Sequence, residues 1–169
     1  MMPRAFLDKI CPPETLQERL EAVRKPLGAA KPKVVFTNGV FDILHPGHVA
    51  YLAEARAKGD FLIVAVNSDE SAKRLGKGED RPINNLDHRR TVVAALESVD
   101  LVTWFGEDTP IKLIGICWPD VLVKGGDWNE DAIVGAKEVK ARGGSVFSIP
   151  FKWATSTSAV VERISRGKS

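Results

Sequence analysis

The stretch NGVFDILHPGH, residues 38–48, sets two histidines, His45 and His48, three residues apart around a Pro-Gly pair. Pro46 suits the first turn of a helix, where a missing N–H costs nothing. Gly47 removes a side chain and lets a ligand approach the backbone. The open N–H groups and the positive end of the helix dipole then form an anion site. Imidazole N–H donors from His45 and His48 would point at the same place. This is chemistry for holding phosphate oxygens, not for nucleophilic attack. The stretch is neither the dinucleotide fingerprint GxGxxG nor the P-loop GxxxxGK[ST]. Metal ligation by His45, His48 and Asp42 is the alternative, but no further His/Cys cluster completes a site. His88 stands alone and reads as a surface helix residue.

Three later loops carry further candidates. Asn67 and Ser68 can cap the segment that follows them, and Lys73, Arg74, Lys77 and Arg81 lie close behind. With Gly76 and Gly78 this is either a solvated basic loop or a mobile lid that brings cations to reacting phosphates. In KGGDW, residues 124–128, Gly125 and Gly126 permit close approach by a flat base, and Asp127 can accept from ribose hydroxyls. Trp128 can stack or merely pack. Near the end, Ser156, Thr157 and Ser158 offer hydroxyls and amides at a helix start, a second anion site facing the first. One of the three is expected to be a plain helix cap.

The elements that position these loops alternate. Apolar, β-branched runs at 34–37, 61–66, 101–105, 121–123 and 145–149 read as strands. Helical patterns occupy 14–24, 46–57, 87–98 (with Asp87 as N-cap), 110–117 (Pro110 in its first turn), 131–142 (closed by Gly143) and 157–165. Five strand signals separated by helices predict an α/β fold with a parallel sheet, because each crossover needs a helix. Near-continuous apolar strands predict helices on both faces. Ligands in such a sheet bind beyond the carboxyl ends of the strands, where the chemistry-bearing loops lie. The Pro/Gly-rich stretch 25–32 reads as a linker, dividing an N-terminal helix (1–32) from the main domain (33–169).

The 169 residues suit one ordinary domain, and 44% hydrophobic with 27% charged content excludes a disordered or collagen-like chain. A net charge of +2 is too balanced for a protein that mainly grips nucleic acid. Cys11 and Cys117 form no CxxC pair and suggest ordinary thiols in a reducing compartment. No run is long enough to cross a membrane, and the first residues lack a secretory pattern. A soluble cytoplasmic protein is expected, without membrane or nucleic-acid partners.

The stretch TNGVFDILHPGHVAYLAEA resembles the cytidylyltransferase-like nucleotidyltransferases, which carry HxGH after the first strand. Thr155-Ser156-Thr157-Ser158 occupies the place of their second signature, ISTT or ISSS. VAVNSDESAKRLGKGEDRP, GEDTP and VLVKGGDW look like the adenylyltransferases that activate D-glycero-β-D-manno-heptose 1-phosphate. Some of these are fused behind a sugar kinase; this chain has no room for one and resembles the stand-alone form. The resemblance implies a Rossmann-like five-stranded sheet and the reaction ATP plus sugar 1-phosphate to ADP-sugar and pyrophosphate. Mg²⁺ would ride on the triphosphate. A homo-oligomer, with a dimer favoured, is implied too, and the N-terminal helix offers an apolar face to bury.

By the same resemblance His45 and His48 act on the nucleotide phosphates. Lys73 and Arg81 are the catalytic cations of the lid. Thr37, Asn38, Gly39, Phe41, Gly47, Gly125, Asp127, Ser156, Thr157 and Ser158 are expected at the nucleotide. Asp42, Asn67, Ser68 and Lys152 are expected at the acceptor. Related glycerol-phosphate enzymes carry an Arg directly after the Pro at Pro150, where this chain has Phe151-Lys152-Trp153; Lys152 is the cation nearest that place. Two other readings remain: transfer to another alcohol phosphate such as glycerol or ethanolamine phosphate, and a nucleotide-binding regulatory module without turnover.

Overall fold

The computed structural model describes residues 6–25, 31–76, 78, 80–152 and 156–167. The linker residues 26–30, Lys77, Trp153 and Thr155 lie outside the described residues. Five parallel strands form one sheet: β1 (Val34–Gly39), β2 (Phe61–Asn67), β3 (Leu101–Phe105), β4 (Val121–Gly125) and β5 (Ser145–Ile149). Their order is β3-β2-β1-β4-β5. The chain therefore winds outward from β1 in one direction, then crosses back to β4. The switch point lies between β1 and β4, where a ligand crevice forms in such sheets.

The sheet runs further toward that crevice than its apolar runs suggest. Asn38 and Gly39 stay in register with Ala65 and Val66, and Lys124 and Gly125 with Ser148 and Ile149. At the opposite end three aspartates stand one residue before a strand. The amides of Lys33, Val34 and Leu62 donate to Asp60, Asp120 and Asp100, each at 2.8 Å. These carboxylates satisfy N–H groups that the ends of a parallel ladder leave open.

Side chains of a strand alternate between faces. Val34 and Phe36 join one core with α5 (Ile111–Cys117) and α6 (Ala136–Ala141); Val35 joins the other with α2 (Pro46–Arg56) and α4 (Leu86–Ala94). The fold is thus the parallel α/β sheet that the strand pattern predicts, in the Rossmann-like form that the resemblance implies. The first helix, α1 (Leu16–Arg24), lies against α5, with Leu16 and Leu20 fully buried. Within the chain Leu16 and Leu20 of its apolar face are covered, and Val23 is half-buried. Just before it, the Cys11 amide donates to Val102 at 2.8 Å, which covers the outer edge of β3. Burial pushes the Cys117 thiol up to about 12, so it is an inert core group.

Several boundaries differ from the sequence expectation. The N-cap of α4 is Asn85, whose Oδ1 accepts from His88 N at 2.9 Å; Asp87 falls inside the first turn. Pro110 is the N-cap of α5 rather than its first residue. The pattern at 131–142 splits into a short 3-10 turn, Glu130–Ala132, and α6. Gly135 between them has φ 87°, and a Cβ there would meet Ile114 Cδ1 at 2.6 Å. Among the described residues no helix is long and apolar enough to cross a membrane.

Candidate active site

The loop after β1 ends at His45, the extended N-cap of α2 with φ −141° and ψ 166°; Pro46 takes the first helical position. One turn later His48 N–H donates to His45 O at 2.9 Å. That i,i+3 spacing stacks the two imidazoles, with centroids 3.9 Å apart and planes 29° from parallel. Phe41 and Phe151 meet His48 edge-on, at 5.4 and 6.3 Å. Phe41 holds this position through a left-handed backbone, φ 50°, an uncommon state for a bulky residue. A Cβ on Gly39 would sit 3.0 Å from its ring. Burial holds His45 below its ordinary value of 6.5, so it rests as neutral imidazole. Its Nδ1 is buried and has no hydrogen-bond partner in the protein. A buried polar atom of that kind calls for a ligand or a water.

Beneath the histidines, α2 docks on the switch point. The Tyr51 hydroxyl is hydrogen-bonded to Thr37 on β1 and donates to Val123 O on β4 at 3.4 Å. Beside it Lys124 Nζ lies 3.3 Å from Asn38 Oδ1. Across from α2 stands the start of α7 (Thr157–Arg166). Ser156 is the cap: its Oγ accepts from Ala159 N at 3.1 Å. Thr157 Oγ1 donates to Ile43 O at 3.3 Å and ties α7 to the loop after β1. Both helix starts open on one cavity of about 560 Å³, within the usual range for a small-molecule site.

The cavity reaches both halves of the sheet, and its β2–β3 side carries Ala72, Leu75, Pro82 and Pro110 beside its polar groups. Toward β4 and β5 it is walled by Trp128, Ile133, Val134 and Phe151. Toward β2 and β3 it meets Asn67, Arg81, Asp108 and Thr109. The histidine pair lies between. The glycines after β4 serve the first end in an unexpected way. A Cβ on Gly125 would meet Phe151 Cζ at 2.8 Å, and one on Gly126 would meet Trp128 Nε1 at 2.7 Å. They seat the chain's own rings rather than leave a bare surface. Gly126 also has φ 118°, so Gly126→Ala is expected to lower stability by about 1–3 kcal/mol and to shift Trp128 emission. An unchanged denaturation midpoint and spectrum would contradict this packing.

Asp42 and Arg81 form a buried pair. Arg81 Nε lies 2.7 Å from Asp42 Oδ2, with side chains 14% and 1% exposed. The same carboxylate accepts from Ile83 N at 3.0 Å and Asn84 N at 2.9 Å. Asn84 Nδ2 returns a bond to Asp42 O at 2.7 Å. Asp42 is thus committed to holding segment 81–84 against the loop after β1. Among the described residues no three His, Cys, Asp or Glu side chains gather as a metal cluster.

Of the residues singled out from sequence, the cavity wall includes Asn38, Gly39, Phe41, Asp42, His45, His48, Asn67, Arg81, Gly125 and Ser156 to Ser158. The others lie elsewhere. Thr37 is bonded to Tyr51 under the floor, and Gly47 is buried in the first turn of α2. Ser68 caps α3 (Asp69–Arg74), its Oγ accepting from Ser71 N at 3.1 Å. Asn67 Nδ2 braces that cap by donating to Ser71 Oγ at 2.9 Å. The supposed lid thus begins as a helix, on which Lys73 faces solvent. Asp127 is exposed outside the cavity wall, and Lys152, also outside it, pairs with Glu54 at 2.6 Å. Sequence reasoning passed over Tyr51, Lys124 and Thr109. Lys124 was legible, because it closes the same strand as Gly125. Tyr51 looked like an ordinary helix residue.

Comparison with known proteins agrees with this geometry. The cytidylyltransferase-like family matches residues 36–163. The bifunctional protein HldE of Haemophilus influenzae (strain PittEE) is 59% identical over 132 residues, 78% of this chain and 28% of that one. HldE of Haemophilus ducreyi is 54% identical over 148 residues, 88% and 31% of the two chains. The chain thus spans under a third of the length of these relatives. A solved lipopolysaccharide core biosynthesis protein from Thermoplasma volcanium GSS1 superposes with a TM-score of 0.61 at 30% identity, covering 73% of this chain and 99% of that one. A pantoate-beta-alanine ligase from Francisella tularensis shares the fold alone, with a TM-score of 0.52 at 17% identity, over 83% and 66% of the two chains. The matched region takes in most of β1, the other four strands, the stacked histidine pair and the start of α7, and the chain belongs to the cytidylyltransferase-like family.

Proposed function

We propose that the chain transfers an adenylyl group from ATP to D-glycero-β-D-manno-heptose 1-phosphate, giving ADP-heptose and pyrophosphate. The observation that carries this reading is the stacked His45–His48 pair, which faces the start of α7 across the cavity at the switch point. The identity to HldE proteins and to a lipopolysaccharide core biosynthesis protein supports the sugar acceptor. In this reading the catalytic unit spans 33–169, and α1 buttresses its sheet.

The acceptor's phosphate monoester has a second pKa of about 6, so its oxygen is already ionised at neutral pH and needs no base. That oxygen attacks the α-phosphorus. The bond from the α-phosphorus to the bridging oxygen breaks, and pyrophosphate leaves with the electron pair. The chain's task is to align two polyanions and to meet the charge that builds up. His45 and His48 donate to the phosphates from one helix start, and the amides of Thr157 and Ser158 with the Ser158 hydroxyl donate from the other. The end beside Trp128 and Phe151 takes the base. The end beside Asn67 and Thr109 takes the sugar. The site supplies N–H donors rather than clustered carboxylates, which suits Mg²⁺ carried on the triphosphate with water completing its shell. Bound there, the ion neutralises phosphate charge.

His45 gives a pH signature. A polyanion beside it favours imidazolium, so its value rises from the depressed state on binding. ATP binding near pH 6 is therefore expected to take up protons, and affinity to rise as pH falls through that region. Calorimetry in buffers of different ionisation enthalpy reads this directly. Proton release, or uptake that persists in His45→Asn, would contradict it.

The activity test compares ATP and CTP with heptose 1-phosphate, glycerol 3-phosphate and ethanolamine phosphate. Pyrophosphate is expected from ATP with the sugar phosphate. Release from CTP with glycerol or ethanolamine phosphate would reassign the acceptor, and release from no pair would support a regulatory module.

A further inference from the structure

Arg89, on α4, is the bulkiest side chain among the described residues that is fully buried, at 1% exposure. Its guanidinium reaches three separate segments. Nε donates to Asn84 O at 2.9 Å, Nη1 to Val40 O at 2.7 Å, and Nη2 to Asp69 Oδ1 at 2.7 Å. A buried guanidinium carries a desolvation cost of several kcal/mol, which packing alone would not call for. Its planar fork, however, can bond in three directions at once, as a lysine cannot.

Each acceptor adjoins a wall of the cavity. Val40 lies between Gly39 and Phe41, whose ring meets His48. Asn84 N donates to Asp42, the partner of Arg81. Asp69 opens α3, whose Ala72 lines the cavity. Residues 40–42 and 81–84 are thus linked twice, once through Asp42 and once through Arg89. Arg89 itself is not part of the cavity wall.

We propose that Arg89 is a positioning residue for adenylyl transfer: it fixes the loop after β1, and with it Phe41 and the histidine stack, against α3 and segment 81–84. The effect on turnover rests on the reading of His45 and His48 as phosphate donors; the effect on their geometry does not. Arg89→Met keeps comparable length without the donors. It is expected to lower kcat for pyrophosphate release by about 10- to 100-fold, with KM for ATP changed much less, because small misplacements act on the aligned step. Arg89→Lys restores only part of the loss, since it cannot reach all three acceptors.

A second readout needs no activity. The imidazole Cε1–H signals of His45 and His48 should carry ring-current shifts from the stack and from Phe41, and Arg89→Met should move them toward free imidazole. Should Arg89→Met not fold, Asp69→Asn, which weakens one arm, is expected to show the same changes at smaller size. A folded variant with unaltered kcat and unaltered imidazole signals overturns the proposal. If the wild-type chain releases no pyrophosphate, the functional reading fails, and the imidazole signals still decide the role of Arg89.

Discussion

His45→Ala and His48→Ala are each expected to lower kcat by about 100-fold or more, the scale of a lost donor to transition-state charge. ATP affinity is expected to fall less. The reason lies in where charge appears. In the proposed reaction the ground-state triphosphate would keep its metal ion and water, and the start of α7 would still donate to it. In the proposed transition state negative charge would grow on the α-phosphate and the leaving pyrophosphate, next to the stacked rings. Donors already fixed there need no reorganisation, and Phe41 and Phe151 fix them by packing against His48. The stack also makes the pair interdependent. The double variant should therefore lose less than the product of the two single losses. Rapid-quench measurement of a single turnover checks this, and wild-type rates in either variant would remove the pair from the chemistry.

Arg81→Ala is expected to destabilise the fold by about 3–5 kcal/mol, because it leaves the Asp42 carboxylate buried without its cation. Asp42 is 5% exposed, and its amide partners Ile83 and Asn84 carry no full charge to replace the guanidinium. Asp42→Asn/Arg81→Gln, which removes both charges, should recover much of the loss. Urea denaturation measures both. A single variant with wild-type stability and a reduced kcat would instead return Arg81 to the part of a cation free to move onto the phosphates. Lys73 differs, since it faces solvent on α3; Lys73→Ala should leave stability unchanged, so any loss of turnover would report phosphate contact alone.

The alternation of β-branched runs with amphipathic segments was enough to read the parallel sheet, because strands buried on both faces must be apolar nearly throughout. The histidine pair was legible for a local reason: the Pro-Gly between them marks a helix start, and i,i+3 spacing puts both rings on one side. A cap among Ser156, Thr157 and Ser158 followed from the same local logic, and the structure makes it Ser156. Arg89 was illegible, since in DHRR nothing distinguishes a buried arginine from its neighbour Arg90, half-buried against Trp104. Its burial depends on acceptors 5, 20 and 49 residues away. Lys73 and Lys152 show the converse. Their charge suggested the phosphates, but helix phase turns Lys73 outward, and Glu54 on α2 draws Lys152 away. At Gly125 and Gly126 the sequence suggests close approach by a flat base; the rings that meet them in the structure belong to Phe151 and Trp128.

The central claim is that the acceptor's phosphate oxygen displaces pyrophosphate from the α-phosphorus of ATP. Heptose 1-phosphate labelled with ¹⁸O in its phosphate tests it most directly. Mass spectrometry of the products is expected to find the label in ADP-heptose, in the bridge and on the sugar-side phosphorus, with none in the pyrophosphate. Label in the pyrophosphate, or ADP and a doubly phosphorylated sugar as products, would contradict the account.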